Sequence, residues 1–265
     1  LNTLFCSMLL LPLVIISGIA PNILQGTIGY VPSVSIETHG FIFIKSVIVL
    51  TSWIFGYFAI KHLPLTITGP INATRPVMTL IGALLIFGER LNVYQWIGVI
   101  ITIVSFFLLS LSGKKEGINF TRNKWILFMV LAAIAGAASG LYDKYLMQRF
   151  SSTAVQFWFN TYQCGLMAIV MVVLWYPKRE KNTPFEWRWS IILVSVFLTI
   201  ADFVYFYALT DPDAMISIVS MVRRSSVLVS FAGGVLFFHE KNLKGKAIDL
   251  VLIIVAMFFL YLGTK

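Results

Sequence analysis

Charge is what this chain has least of. Lysine and arginine number 20 and aspartate and glutamate 11 in 265 residues, so 12% of positions are charged against 58% hydrophobic, and mean hydropathy is +0.88. That is too little polar surface to coat a water-soluble globule, which excludes a soluble domain. Cysteine is scarce as well. Cys6 and Cys164 both fall in apolar runs, where a thiol behaves as a small apolar group, so no disulfide framework can be counted. The three histidines, His39, His62 and His239, stand at the ends of apolar runs or in loops, and no His-Glu-x-x-His, Cys/His cluster or Gly-x-Ser-x-Gly occurs. No enzyme, metal or cofactor is expected. The net charge of +9 is scattered through short connections, so lipid headgroups rather than nucleic acid are the expected partner.

What the chain does have is apolar length. Runs of about 18 residues or more, each able to cross a hydrocarbon core of about 30 Å as a helix, recur from end to end. Nine are expected: 1–20, 41–60, 64–88, 93–112, 124–147, 153–176, 189–209, 212–238 and 245–263. The first lacks a basic leading region and is read as a bundle helix, not a signal peptide. The fold class is therefore an all-α polytopic membrane protein.

The chain also repeats itself. "LNTLFCS" at the start matches "FNTYQCG" at 159–165; "YFAI" at 57–60 matches "FYAL" at 206–209; and "GERLNVYQWIG" after the third run matches "HEKNLKGKAID" after the eighth. Two units are expected, 1–112 and 124–265, joined by a connecting loop at 113–123. The second holds five runs and the first four, without a partner for the run at 124–147, so a first helix is expected to be missing and the natural number to be ten. Five helices per unit is odd, so the two copies would cross the membrane in opposite senses. That is the inverted-repeat plan of secondary transporters, whose substrate site lies near the midplane.

The run "GPINATRPVMTLIGALLIFGERLNVYQWIGVIITIVSFFLL" carries a proline-containing span that ends in Gly-Glu-Arg and is followed by Gln-Trp-Ile-Gly at the head of the next. In this it resembles the EamA family of the drug/metabolite transporter superfamily, and the resemblance covers essentially the whole chain. The second unit keeps Glu240 but has His239 in place of the glycine, and Ser225 or Ser226 where the family often has proline. The resemblance implies a ten-helix transporter, commonly an exporter of small metabolites; Glu89 is a signature of fold, not of substrate.

Helical spacing of about 100° per residue assigns polar groups to faces. Thr68, Asn72, Arg75, Thr79 and Gly82 form one stripe. Ser220, Arg223, Arg224, Ser226 and Ser230 share half of another helix, with Ile218, Val222 and Val229 opposite. Ser195, Thr199, Asp202 and Tyr205 or Phe206 form a third stripe; Gln156, Asn160 and Gln163 a fourth; Ser139, Tyr142 and Asp143 a fifth, beside a Gly136-x-x-x-Gly140 spacing that favours close helix approach. Trp53 and Tyr57 are placed on the inner side of the second run. The Ala59/Ala208 match aligns Arg75 with Arg224, while the Glu89/Glu240 match is offset from it by two residues.

Each feature has a plain structural reading beside the functional one. Arg223 or Arg224 can clamp Asp202 in an ion pair; Lys45 is expected to snorkel; Trp53 and Tyr57 are common packing residues; Glu89 and Glu240 sit where capping explains them, and Asn92 with Gln95 reads as a capping box. Counting Arg75, Arg223, Arg224 and Lys45 against Asp202, with Asp143 and Asp249 near helix ends, leaves a positive surplus. Guanidinium groups match carboxylate and phosphate. The expected function is secondary transport of a small anionic or zwitterionic metabolite by alternating access in the cell membrane. Its expected substrate-binding residues are Trp53, Tyr57, Asn72, Arg75, Tyr142, Asn160, Gln163, Asp202, Tyr205, Ser220, Arg223 and Arg224, with Asp202 the candidate for proton coupling. The alternatives are efflux of cationic drugs and a non-transporting scaffold or receptor; the sequence leaves a homodimer open. Most basic loop residues fall at 61–62, 113–124, 177–188 and 239–246, on one side of the expected topology, which places the C-terminus outside, whereas relatives of this type keep both termini inside.

Overall fold

The computed structural model describes residues 1–63, 68, 71, 72, 74–111, 123–178, 187–224 and 243–263. Among them the chain is helical and contains no strand: α1 (Asn2–Ile19), a single turn α2 (Pro21–Leu24), α3 (Ile36–His62), α4 (Arg75–Ile86), α5 (Val93–Leu111), α6 (Lys124–Met147), α7 (Ser152–Val170), α8 (Ser190–Leu209), α9 (Ile216–Arg224) and α10 (Leu243–Leu262). Four of these, α1, α3, α6 and α8, are long and apolar enough to cross a bilayer. Shorter apolar stretches run over Arg75–Ile86, Val93–Ser105 and Val251–Leu262. α7 has 19 residues, enough to cross, but Gln156, Asn160, Thr161 and Gln163 dilute its apolar character. Of the expected runs, 64–88 and 212–238 extend partly outside the described residues, as do Ser225, Ser226, Val229, Ser230, His239 and Glu240 and most of the 113–123 connection.

Local chemistry accounts for several helix ends. Asn92 and Gln95 form a reciprocal capping box at the start of α5: the Asn92 N–H donates to Gln95 Oε1 and the Gln95 N–H to Asn92 Oδ1, both at 2.9 Å. Asn123 accepts from the Trp125 N–H at 3.0 Å before α6. Pro76 stands in the first turn of α4, where its missing N–H costs nothing. At the other end of α4, Gly88 takes φ +63°, which a side chain would strain, and turns the chain at Glu89.

The chain divides into two compact units, each drawing on both sides of the 113–123 connection. Unit 1 comprises Leu1–Leu50 and Tyr142–Pro212; unit 2 comprises Thr51–Leu141 and Asp213–Lys265, so α3 and α6 contribute segments to both. Within unit 1, α1 packs on α7 and α8, and α7 on α8. Within unit 2, α5 packs on α10 and α4 on α9. α1 with α7, α4 with α9 and α5 with α10 are the helices that the sequence repeat sets against one another.

α5 and α10 approach tightly at Gly98. A methyl at Gly98 would lie 2.8 Å from Leu260 Cγ and 2.9 Å from the Ala256 carbonyl oxygen, so glycine is what lets the two backbones meet. Leu80, Val99, Met221 and Leu260 are buried together there, with Ile218 against them. A second apolar cluster joins Ala59 and Leu63 to Met129.

Candidate functional site

In unit 2, Arg75 opens α4 and points its guanidinium into the contact between α3 and α6. Nη2 donates to Ser52 Oγ at 3.1 Å and to the Ala132 carbonyl at 3.0 Å, and the Ser52 hydroxyl itself donates to the same carbonyl at 2.8 Å. Gly136 makes room for the group: a methyl there would lie 2.7 Å from Arg75 Cζ. Gly136, the first glycine of the Gly136-x-x-x-Gly140 spacing, thus admits an arginine side chain. Arg75 Nε is buried without a hydrogen-bond partner. Both acceptors that hold the guanidinium are neutral, and no described carboxylate pairs with it. Among the described residues its charge is therefore positioned but not cancelled.

Among the described residues of unit 2, Glu89 is the other charged side chain withdrawn from the surface, and it is spent on a helix end. Glu89, 9% exposed, accepts from the Ile216 N–H at 2.7 Å and the Ser217 N–H at 3.4 Å, and the Ser217 hydroxyl also donates to it. A carboxylate there satisfies orphan amides and complements the helix dipole. The expected capping role of Glu89 holds, but the helix it caps is α9, which is distant in sequence.

In unit 1 the central feature is an ion pair that spacing did not reveal. Lys45 on α3 pairs with Asp143 on α6, and both are buried. The Lys45 ammonium lies 4.5 Å from the Phe159 ring centroid and 4.4 Å from that of Phe206, so it is enclosed by α7 and α8 as well. The expectation that Lys45 snorkels is overturned, because it sits on the buried stripe Thr38, Ile42, Lys45 and Ser46, ten residues into a 27-residue helix. Asp143 likewise lies inside, not at a wetted end.

Around this pair the expected stripes of α7 and α8 face inward. Gln156, Asn160 and Gln163 are buried, as are Ser195, Thr199, Tyr205 and Phe206, while Asp202 is half-buried. Gln156 Nε2 donates to the Thr199 carbonyl at 2.8 Å, and the Cys6 thiol reaches the Ser195 carbonyl at 3.6 Å. Gln163 is 1% exposed, and neither its Oε1 nor its Nε2 has a hydrogen-bond partner. A buried amide with both ends unmet is an uncommon arrangement that asks for an explanation. Tyr142 is half-buried and donates to the Phe41 carbonyl at 3.2 Å. At the start of α7 and the end of α8, a recess of about 350 Å³ is lined by residues that include Thr27, Tyr30, Ser152, Thr153 and Thr210.

The remaining expected residues are more dispersed. Thr68 and Thr79 are buried on the Arg75 stripe, Asn72 is half-buried, and a methyl at Gly82 would strike the Leu141 side chain. Trp53 and Tyr57 lie beside the buried stripe of α3 and are 44% and 64% exposed. On α9 the buried face is Ile216, Ser217 and Met221; Ser220 is half-buried, its hydroxyl donating to the Ser217 carbonyl at 3.0 Å, and Arg223 is exposed. Arg224 closes α9, and its side chain lies outside the described residues.

Comparison with known proteins follows the same lines. One solved crystal structure superposes on all of this chain and on 89% of its own with a TM-score of 0.67 at 16% sequence identity, a likeness of fold. No curated protein matches. The model of the EamA-like transporter family matches two stretches, residues 1–111 and 123–262, nearly the whole chain. With buried charge and amide groups set among apolar, membrane-length helices, and that match from end to end, the chain belongs to the EamA-like transporter family of the drug/metabolite transporter superfamily, as a multi-pass membrane transporter.

Proposed function

We propose that this protein is a secondary transporter of a small anionic or zwitterionic metabolite, working as an exporter in the cell membrane by alternating access between two inverted five-helix repeats. The observation that carries this reading is Arg75. Its guanidinium is fixed by the Ser52 hydroxyl and the Ala132 carbonyl, and among the described residues no carboxylate cancels its charge and its Nε has no partner. A structural arginine in an apolar segment would be paired; one held ready by neutral acceptors suits a carboxylate or phosphate. The packing of α1 on α7, α4 on α9 and α5 on α10, each a helix on its repeat counterpart, supports the inverted-repeat layout. Asp202, on the face of α8 that carries Thr199 and Phe206, is the proposed proton carrier.

The test is a thermal-shift screen of the purified protein against amino acids, organic acids, sugar phosphates and quaternary amines, followed by uptake into proteoliposomes. Acids or zwitterions are expected to raise the melting temperature, and Arg75→Gln to abolish both that shift and transport. Stabilisation by the quaternary amines alone would overturn the reading in favour of cation efflux.

A further inference from the structure

Two membrane-length helices of unit 2 end side by side. His62 is the last residue of α3 and Lys124 the first of α6, and the His62 ring stacks flat on Trp125, with centroids 3.7 Å apart and planes 4° apart. The Lys124 ammonium lies 4.8 Å from the centroid of the same indole. His62 Nδ1 meets the Phe58 carbonyl at 2.8 Å. A carbonyl only accepts, so Nδ1 carries the hydrogen and Nε2 is the nitrogen left to meet a ligand. Lys61, His62 and Lys124 are all exposed.

Beneath these groups the surface is apolar. Trp125 faces Phe128 with ring centroids 5.3 Å apart, and Phe128 faces Phe55 at 5.2 Å; the three are half-buried, and Leu127 beside them is exposed. A ladder of rings thus runs from the basic end toward the middle of the bilayer. Acid is placed elsewhere. α4 runs beside α6 away from this end, from Arg75 at Gly136 to Gly82 at Leu141, about 24 Å along α6 from Trp125. The acidic residues of unit 2 with described side chains, Glu89 and Asp213, stand after α4 and before α9, whose first amides Glu89 caps, so both belong to the far end. The dipole of α3 accounts for Lys61 and His62 in its last turn. It does not account for Lys124, which opens α6 with no acidic residue in that first turn.

We infer that the adjoining ends of α3 and α6 form a site for one anionic phospholipid. Its phosphate lies between the Lys124 ammonium and His62 Nε2, which donates to it once the ring is protonated, and Lys61 adds attraction from beside His62. One acyl chain runs down over Trp125, Phe128 and Phe55. Attraction between exposed charges is weak and screened by salt, so the phosphate alone does not stay; the chain on the rings supplies the remainder. A zwitterionic lipid brings its own cation to a surface that already has a surplus of them and gains little. Trp125 is the hinge of the site, since its indole touches both polar groups and the apolar ladder below, as interfacial tryptophans do. The site is separate from Arg75 and needs nothing of the solute reading.

The experiment titrates the full-length protein, stripped of lipid in a neutral detergent, with phosphatidylglycerol, with phosphatidylcholine of the same chains and with glycerol 3-phosphate, reading bound lipid by native mass spectrometry. Phosphatidylglycerol is expected to bind more tightly than phosphatidylcholine, and glycerol 3-phosphate not to bind at the same concentrations. Lys124→Gln should weaken phosphatidylglycerol about fivefold, the share of one surface cation, and Lys124→Gln with His62→Gln should weaken it further. Both positions are exposed, so each variant should melt as wild type does without lipid. Arg90→Gln removes an exposed cation from the far end and should leave the affinity unchanged. Equal binding of the two lipids, or wild-type affinity in the double variant, would overturn the site. An equal loss in Arg90→Gln would overturn it too, by showing that only total charge matters. Glycerol 3-phosphate bound as tightly as the lipid would replace the lipid with a free phosphate and overturn the part given to the ring ladder.

Discussion

Gly136→Ala is the sharpest probe of the Arg75 arrangement, because it leaves every charge in place and alters only where one of them sits. The added methyl would lie 2.7 Å from Arg75 Cζ, 2.9 Å from Nε and 3.0 Å from Nη1. All three atoms belong to the far end of a flexible side chain, so the guanidinium moves and the α6 backbone does not. Movement takes Nη2 from its two acceptors, at 3.1 and 3.0 Å. In water-soluble proteins a hydrogen bond from a charged donor contributes about 1.5–3 kcal/mol, but interhelical hydrogen bonds measured in bilayers average about 0.6 and reach about 1.7 kcal/mol. The lower scale applies to an apolar helix whose side chain can find other partners. Two bonds then amount to about 1.2–3.4 kcal/mol, or roughly ten- to a few-hundred-fold in ligand affinity. Alanine also gains up to about 1 kcal/mol of helix propensity over glycine. The expected result is a protein that melts within a few degrees of wild type, yet needs at least ten times more ligand for the same thermal shift and half-maximal uptake. Gly56→Ala is the control: its methyl would lie 3.7 Å from the Ala132 side chain, an ordinary contact, and the variant should behave as wild type. Wild-type affinity in Gly136→Ala would refute the claim that the position of Arg75 matters to binding.

Further perturbations separate the scaffold from the site. Glu89→Ala strips three hydrogen bonds from the start of α9 and should lower stability by about 2–4 kcal/mol; unchanged melting would show that the cap is dispensable. Gly98→Ala drives a methyl against the Ala256 carbonyl, which is backbone and cannot step aside, so a loss of about 1–3 kcal/mol is expected in thermal or denaturant unfolding. Asn92→Ala opens the capping box and also removes the 2.7 Å bond from Asn92 Nδ2 to the Gly263 carbonyl, for a loss of about 1–2 kcal/mol read in the same assay. Asp202→Asn should alter the pH dependence of uptake without abolishing it, and an identical pH profile would remove Asp202 from proton coupling.

Periodicity made the faces legible. The stripes through Gln156, Asn160 and Gln163, through Ser195, Thr199 and Phe206, and through Thr68 and Thr79 are buried as their spacing predicts, and the Asn92–Gln95 box closes as local chemistry requires. What periodicity omits is the partner across the interface. Lys45 and Asp143 are 98 positions apart, and nothing in the spacing of either helix points to the other. Each taken alone has a bland reading as a snorkelling lysine and an acid near a helix end, and only their encounter removes it. Glu89 is similar: its place after α4 suggests a cap but not that the capped helix begins at Ile216. Trp53 fails for a different reason. It adjoins Ser52 in sequence, and one step of about 100° carries it off the buried stripe to an exposed face.

The two charged arrangements differ in what each would cost an empty, purely structural protein. Lys45 and Asp143 neutralise one another, so the bundle can keep them at modest cost whether or not anything binds. Arg75 has no such excuse. An arginine near the centre of an apolar run costs about 2.5–3.5 kcal/mol on insertion scales, and bonds to Ser52 and Ala132 on the bilayer scale return about 1.2–3.4 kcal/mol, less whatever its unmet Nε forfeits. The net is unfavourable or near zero, and a methionine of similar length would fill the same gap beside Gly136 without it. Were packing the only demand, Arg75→Met would be at least as stable as the natural protein. If Arg75 instead serves a solute, the same variant melts no lower and transports nothing, and a natural arginine that is less stable than methionine only in the absence of substrate is one whose partner arrives with the cargo.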